Sequence, residues 1–203
     1  LLFNSINEDS LSEAAFAQKC MLAGKITDKL YQAIIPTHHY ERAHHWFSGH
    51  GTPQEQSLIL LYLGRSYAED GEYNHAMATY TKGMNIAEKY SLFDISGLIN
   101  SYMGDLYESK GMIELAIDKY KTAADLFLKD SNKKSYACAL RDCGRSYARI
   151  DSIEKAINIL LQADSIANEI DNPNVKASIA NTIAGTYLLS SNYNEAKTFY
   201  NKA

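Results

Sequence analysis

The segment Leu63-Gly64-Arg65-Ser66-Tyr67 returns forty residues later as Met103-Gly104-Asp105-Leu106-Tyr107, and again as Cys143-Gly144-Arg145-Ser146-Tyr147. A fourth copy ends at Tyr187 and carries Ala184 in the glycine place. Nine residues after each tyrosine stands an alanine: Ala76, Ala116, Ala156 and Ala196. Four further on comes a large side chain, Tyr80, Tyr120, Leu160 or Tyr200, and three after that a small one, Gly83, Ala123, Ala163 or Ala203. A fixed period with a fixed small-large code is the signature of a repeat solenoid, in which each unit buries its apolar face only against its neighbours. It argues for a binding surface and against a catalyst.

Each unit reads as two helices. In the first unit these span 54–69 and 73–89, separated by Asp70-Gly71-Glu72. Glycine there supplies the left-handed backbone that ends a helix cheaply. The turn recurs as Ser109-Lys110-Gly111, Ile150-Asp151-Ser152 and Ser190-Ser191-Asn192. Longer connections are expected at 90–95, 129–134 and 169–174, the last marked by Asn172-Pro173. Mid-helix Gly64, Gly104 and Gly144 each cost about 1 kcal/mol against alanine, a cost tolerated where helices approach closely. Ala76 and its equivalents are expected to face these glycines, with Tyr67 and its equivalents filling the space beneath. Tyr80 and its equivalents are expected to pack on the following hairpin.

This pattern resembles the tetratricopeptide repeat (TPR), with small residues at the eighth, twentieth and twenty-seventh positions and aromatics at the eleventh and twenty-fourth. Gly64, Tyr67, Ala76, Tyr80 and Gly83 carry the match in the first unit, and Gly104, Tyr107, Gly111, Ala116, Tyr120 and Ala123 in the second. Leu160 and Ala184 depart from it mildly, and the usual proline near the unit's end is absent. The period of forty exceeds the usual ~34, and the extra residues are assigned to the second helix and the loop after it. The resemblance implies an all-α, right-handed superhelix, an α-solenoid of TPR hairpins. The expected units are 57–96, 97–136, 137–176 and a truncated 177–203. Residues 1–56, with helices over 11–25 and 37–47, are expected to form a divergent hairpin capping the array. Gly24 lies near the expected end of the first of these helices, and Ser48-Gly49-His50-Gly51 with Pro53 is expected to stop the second.

The opening Leu1-Leu2-Phe3-Asn4-Ser5-Ile6, followed by that hairpin, is similar to bacterial envelope-associated TPR proteins and TPR-containing regulators. The resemblance implies a periplasmic or envelope location, with a cytoplasmic one as the alternative. It also implies flanking membrane or DNA-binding parts. A start without methionine reads as a processed or trimmed piece. Tyr187, Leu188, Leu189, Phe199 and Tyr200 would be partly bare at the far end, so further chain or a partner subunit is expected there.

Composition narrows the function. The chain has 203 residues, a net charge of -4 and three prolines. Mixed charge of that size gives no field suited to nucleic acid or an acidic membrane. No apolar run reaches the ~18 residues of a membrane span. Cys20, Cys138 and Cys143 form no C-x-x-C, so neither a disulfide framework nor a zinc knuckle is indicated.

His38, Glu41 and His45 would share a helix face in a segment that also holds His39, His44 and His50. Such a set could hold a metal. No His-Glu-x-x-His occurs, and Arg42 stands where an inverted zinc-protease motif needs histidine. A solvated, partly packed helix is the reading adopted, with a metal-dependent enzyme as the remote alternative. No phosphate loop and no G-x-S-x-G occur. Neither catalytic residues nor cofactors are expected.

In TPR domains the first helices line a concave groove. By that resemblance the candidate binding residues are Arg65, Asp105, Glu108, Arg141, Arg145, Arg149 and Asn181. Arg141, Arg145 and Arg149 form one stripe on one helix, and like charges so spaced cost a few tenths of a kcal/mol per pair. Two arrangements would compensate. One is a ladder of salt bridges to Asp105 and Glu108. The other is a groove that grips an acidic peptide or a C-terminal carboxylate by bidentate arginine contacts, similar to the carboxylate clamp of some TPR domains. The expected function is therefore a non-catalytic scaffold or sensor module for protein or peptide partners. The alternative is an oligomerisation module using the C-terminal hairpin.

Overall fold

The computed structural model describes residues 10–30 and 35–203, with the backbone alone over 27–30. The Leu1 to Ile6 opening lies outside the described residues. Ten helices follow one another in the described residues, with no strand among them: α1 (Glu13–Leu30), α2 (Thr37–His50), α3 (Pro53–Glu69), α4 (Tyr73–Lys89), α5 (Phe93–Ser109), α6 (Ile113–Lys129), α7 (Lys133–Arg149), α8 (Ile153–Asn168), α9 (Pro173–Leu189) and α10 (Tyr193–Lys202). None is long and apolar enough to cross a membrane. The chain divides into two compact units, 1–95 and 96–203.

The origin of the forty-residue period differs from expectation. α4, α5, α6 and α7 have 17 residues each, and the turns after α4 and α6 are as short as those inside the hairpins. Both kinds of turn use one device. A residue with positive φ follows the helix: Gly71 at 80°, Ser91 at 53°, Gly111 at 73°, Ser131 at 58°, Asp151 at 57° and Ser191 at 57°. The next amide then reaches back five residues, as in Glu72 N to Tyr67 O at 2.8 Å, Leu92 N to Ala87 O at 2.8 Å and Asn132 N to Phe127 O at 2.9 Å. This Schellman closure satisfies carbonyls that the helix end leaves open. The expected long connections after α4 and α6 disappear because serine adopts the conformation that glycine adopts elsewhere, whereas that after α8, residues 169–172, has no residue with positive φ.

In the first unit, α3 begins with a full capping box between Thr52 and Glu55, with Pro53 in the first turn. α1 and α2 both run further than expected, and Gly24 does not end α1. A methyl group on Gly24 would lie 2.3 Å from the Tyr62 ring, so this glycine marks close packing of α1 on α3. Phe16, Cys20, Tyr40, Phe47, Ile59 and Leu61 are buried in this unit.

The second unit shows how the small-large code works. A Cβ at Gly104 would meet the Tyr120 ring at 2.6 Å, and one at Gly144 would meet Leu160 at 2.6 Å. In the first unit Gly64 faces Tyr80 in the same way, at 2.6 Å. The large side chain therefore lies on the glycine of its own hairpin and also packs on the following one, Tyr120 against Cys143 of α7 and Leu160 against Ile179 and Ile183 of α9. Tyr67, Tyr107, Tyr147 and Tyr187 are half-buried; Tyr107 and Tyr147 pack beneath against Ile113, Ala116, Ile117, Tyr120 and Cys143, and Tyr187 packs against the α8 and α9 core. Further apolar packing joins Leu160, Ala163 and Ala167 of α8 to Val175, Ile179 and Ile183 of α9.

Candidate functional site

α5, α7 and α9 of the second unit carry all but one of the expected binding residues. Arg65 is the exception. It lies in the first unit, where it pairs with Glu69 one turn along α3 at 3.2 Å.

The arginine stripe of α7 is held by a network. Arg141 is mostly buried, clasps Asp142 with two nitrogens at 2.9 and 3.0 Å, and donates to the Ser178 hydroxyl of α9 at 2.8 Å. Arg145 donates one nitrogen to Asp142 at 2.8 Å and the other to Glu108 of α5 at 2.9 Å. Arg149 reaches the other oxygen of Glu108 at 3.0 Å. Ser146 also donates to Glu108, at 3.3 Å. Three guanidiniums thus meet two carboxylates, Glu108 and Asp142, and a third carboxylate, Asp105, near Arg145 without an ion pair, balances the formal charge.

The expected ladder partners divide differently. Glu108 accepts from two arginines, whereas Asp105 accepts from the Tyr120 hydroxyl at 2.6 Å. Asp142 does most of the work expected of Asp105. Its signal was present in the sequence, three residues before Arg145, a spacing at which helical side chains meet.

Electrostatics follow from this placement. Asp105 keeps an open edge to water, but the protein crowds its carboxylate. That desolvation pushes it up to about 6 against the Tyr120 hydrogen bond, with Asp142 and Glu108 adding to the rise and Arg145 opposing it. Burial alone would raise Glu108 too, but hydrogen bonds and charge from Arg145 and Arg149 outweigh it and hold Glu108 below its usual value. Burial works against the charge of Arg145, yet Asp142 and Glu108 keep it above its ordinary range.

What the network leaves open is specific. The side chain of Glu108 is only 11% exposed, whereas Arg145 is 40% and Arg149 49% exposed. Asn181 of α9 is exposed and makes no hydrogen bond. The arrangement fixes two half-exposed cations on one face of α7.

No protein-family model matches the chain, and no curated protein matches it by sequence. Solved structures do. BtubC from P. vanneervenii superimposes with a TM-score of 0.76 at 15% identity, over 93% of this chain and 78% of its own. A signal transduction ATPase from Pyrococcus horikoshii with a tetratricopeptide repeat sensor gives 0.75 at 18% identity, over 98% of this chain and 32% of its own. The chain has the tetratricopeptide-repeat fold. The quorum sensor NprR from B. thuringiensis shares this TPR architecture, with a TM-score of 0.62 at 13% identity over 96% of this chain and 65% of its own. At such identities the likeness is one of fold.

α2 brings its histidines together differently from a metal centre. His39 packs against Phe16 with ring centres 5.3 Å apart, and His50 stacks on Trp46 at 5.0 Å. Glu41 accepts from Tyr67 of α3. Among the described residues no three His, Cys, Asp or Glu side chains converge as metal ligands would.

Proposed function

We propose that this chain is a non-catalytic scaffold or sensor module that binds a protein or peptide through the α5, α7 and α9 face. Residues 57–203 are the repeat array in this reading, and residues 1–56 its divergent first hairpin. One observation carries it. Arg145 and Arg149 are oriented by the nearly buried Glu108 while their side chains stay 40% and 49% exposed. Side chains already fixed lose little entropy when they bind, which is what makes a surface preorganised. The fold supports the reading, since two of its structural neighbours are described as sensors.

The balanced charge decides the kind of contact. An acidic peptide does not meet an empty clamp; it competes with Glu108 for Arg145 and Arg149. Recognition of this type is selective and of modest affinity, because each new charge-assisted bond replaces an existing one. Selection from a random peptide library with free C-terminal carboxylates tests it. Wild type should enrich acidic sequences, and the Arg149→Ala, Asn181→Ala double variant should not. Equal enrichment by both would remove the face from consideration.

A second reading has its own observation. Leu188, Leu189, Tyr193 and Tyr200 of the last hairpin are all exposed, and exposed apolar patches mark contact sites. Self-association through them predicts a mass that rises with concentration in sedimentation, and a constant monomer mass would exclude it.

A further inference from the structure

A crevice of about 330 Å³ in the first unit is lined by Glu41 and His44 of α2, Leu60, Leu63 and Tyr67 of α3, and His75, Ala78, Thr79 and Lys82 of α4. It lies at the small end of the range for small-molecule sites. Its two ends carry opposite charge. At one end Tyr67 donates to Glu41 and lies against His75, ring centres 5.4 Å apart and tilted by 35°, with Glu72 3.3 Å from the same histidine. At the other end Lys82 lies close enough to His44 to disfavour its protonation. His75 and Lys82 are seven residues apart on α4, about 10 Å along the axis at 1.5 Å per residue. Between the ends lie Leu60, Leu63 and Ala78, all apolar.

The polar groups have unused capacity. Glu41 accepts only from Tyr67, which leaves one carboxylate oxygen free. Lys82 makes no hydrogen bond or ion pair, and the hydroxyl of the buried Thr79 makes no hydrogen bond. His44 Nδ1 is buried with no partner. Burial, reinforced by Lys82 and His45, lowers the His44 pKa and keeps the ring neutral. A neutral imidazole avoids an unsatisfied buried donor by carrying its proton on Nε2.

We infer that this crevice binds a small zwitterion of the amino-acid or dipeptide class, its ammonium on Glu41 and its carboxylate on Lys82 and Thr79. A simple anion would have to face Glu41, and a simple cation would have to face Lys82. Only a molecule with both charges, joined by an apolar stretch over Leu60 and Leu63, leaves neither end opposed. The site is separate from the arginine face and stands whether or not that face binds peptide.

Calorimetric titration tests it, with glycyl-leucine and ε-aminocaproate as zwitterions and caproate and hexylamine as single-charge counterparts. At least one zwitterion should bind about tenfold or more tightly than both counterparts. Glu41→Gln, which keeps an acceptor for Tyr67, and Lys82→Met, at an exposed position, should each weaken it by about tenfold or more with helical content unchanged. Absence of binding by both zwitterions would overturn the assignment. So would caproate binding as well as ε-aminocaproate, or retention of affinity in both variants.

Discussion

Arg145 donates to Glu108 at 2.9 Å across thirty-seven residues of sequence, and so ties α7 to α5. The bond joins equivalent faces of successive repeats. It also means that the sharpest charge feature of the sequence is occupied before any ligand arrives.

Removing the carboxylate should therefore destabilise the second unit. Glu108→Ala leaves Arg145 and Arg149 without their shared acceptor. Half-exposed pairs are individually weak, but here two guanidiniums and Ser146 lose one nearly buried partner. A loss of about 1–3 kcal/mol is expected in urea unfolding.

The glycine code gives a paired prediction. Gly104→Ala gains helix propensity of about 1 kcal/mol, but its Cβ would meet the Tyr120 ring at 2.6 Å. Overpacking should dominate, with a net loss of about 1–2 kcal/mol. Gly185 also lies in a helix, and nothing lies within 4 Å of a Cβ there. Gly185→Ala should stabilise by about 0.5–1 kcal/mol. Denaturation midpoints that moved the same way for both would refute the packing account.

Asp105 sets a pH dependence with a definite sign. Its folded carboxyl is raised from 3.8 to about 6, so the folded state holds its proton more tightly than the unfolded chain. That contribution to stability is present in acid, falls as pH rises through this window, and is flat above it. Glu108 is lowered and works in the opposite sense, losing stability only as pH falls below the usual carboxylate range. Asp105→Asn should remove the first slope. The stability difference between wild type and variant should shift toward the variant between pH about 4 and about 7.

The turns can be tested where serine stands in for glycine. Ser131 has φ of 58°, a conformation that costs a residue with a side chain about 1 kcal/mol. Ser131→Gly should raise stability by up to about 1 kcal/mol, read as a higher unfolding midpoint.

Much of the fold was legible because the repeat code is a packing code. Gly104 and Tyr120 recur at fixed spacing because a ring needs a missing methyl group opposite it. What escaped was the second partner of each ring. Tyr120 meets the next hairpin at Cys143, and it also covers Gly104 of its own. The short connections escaped because Ser91 and Ser131 carry no glycine signal, although their backbones adopt the same left-handed state. In the site, the arginines and Glu108 were readable from the stripe. Asp142 was passed over because it lies beside the stripe rather than on it. The first-unit crevice had no local motif, since three helices supply its lining.

The most direct test of the binding account is a titration of an acidic peptide with a free C-terminus, taken from the library selection, against wild type, Glu108→Gln and Arg149→Ala. Competition with an internal carboxylate predicts an order. Glu108→Gln should bind more tightly than wild type, because Arg145 and Arg149 are released, and Arg149→Ala more weakly. Equal affinity in all three proteins would contradict the account and leave the arginine stripe a structural ladder.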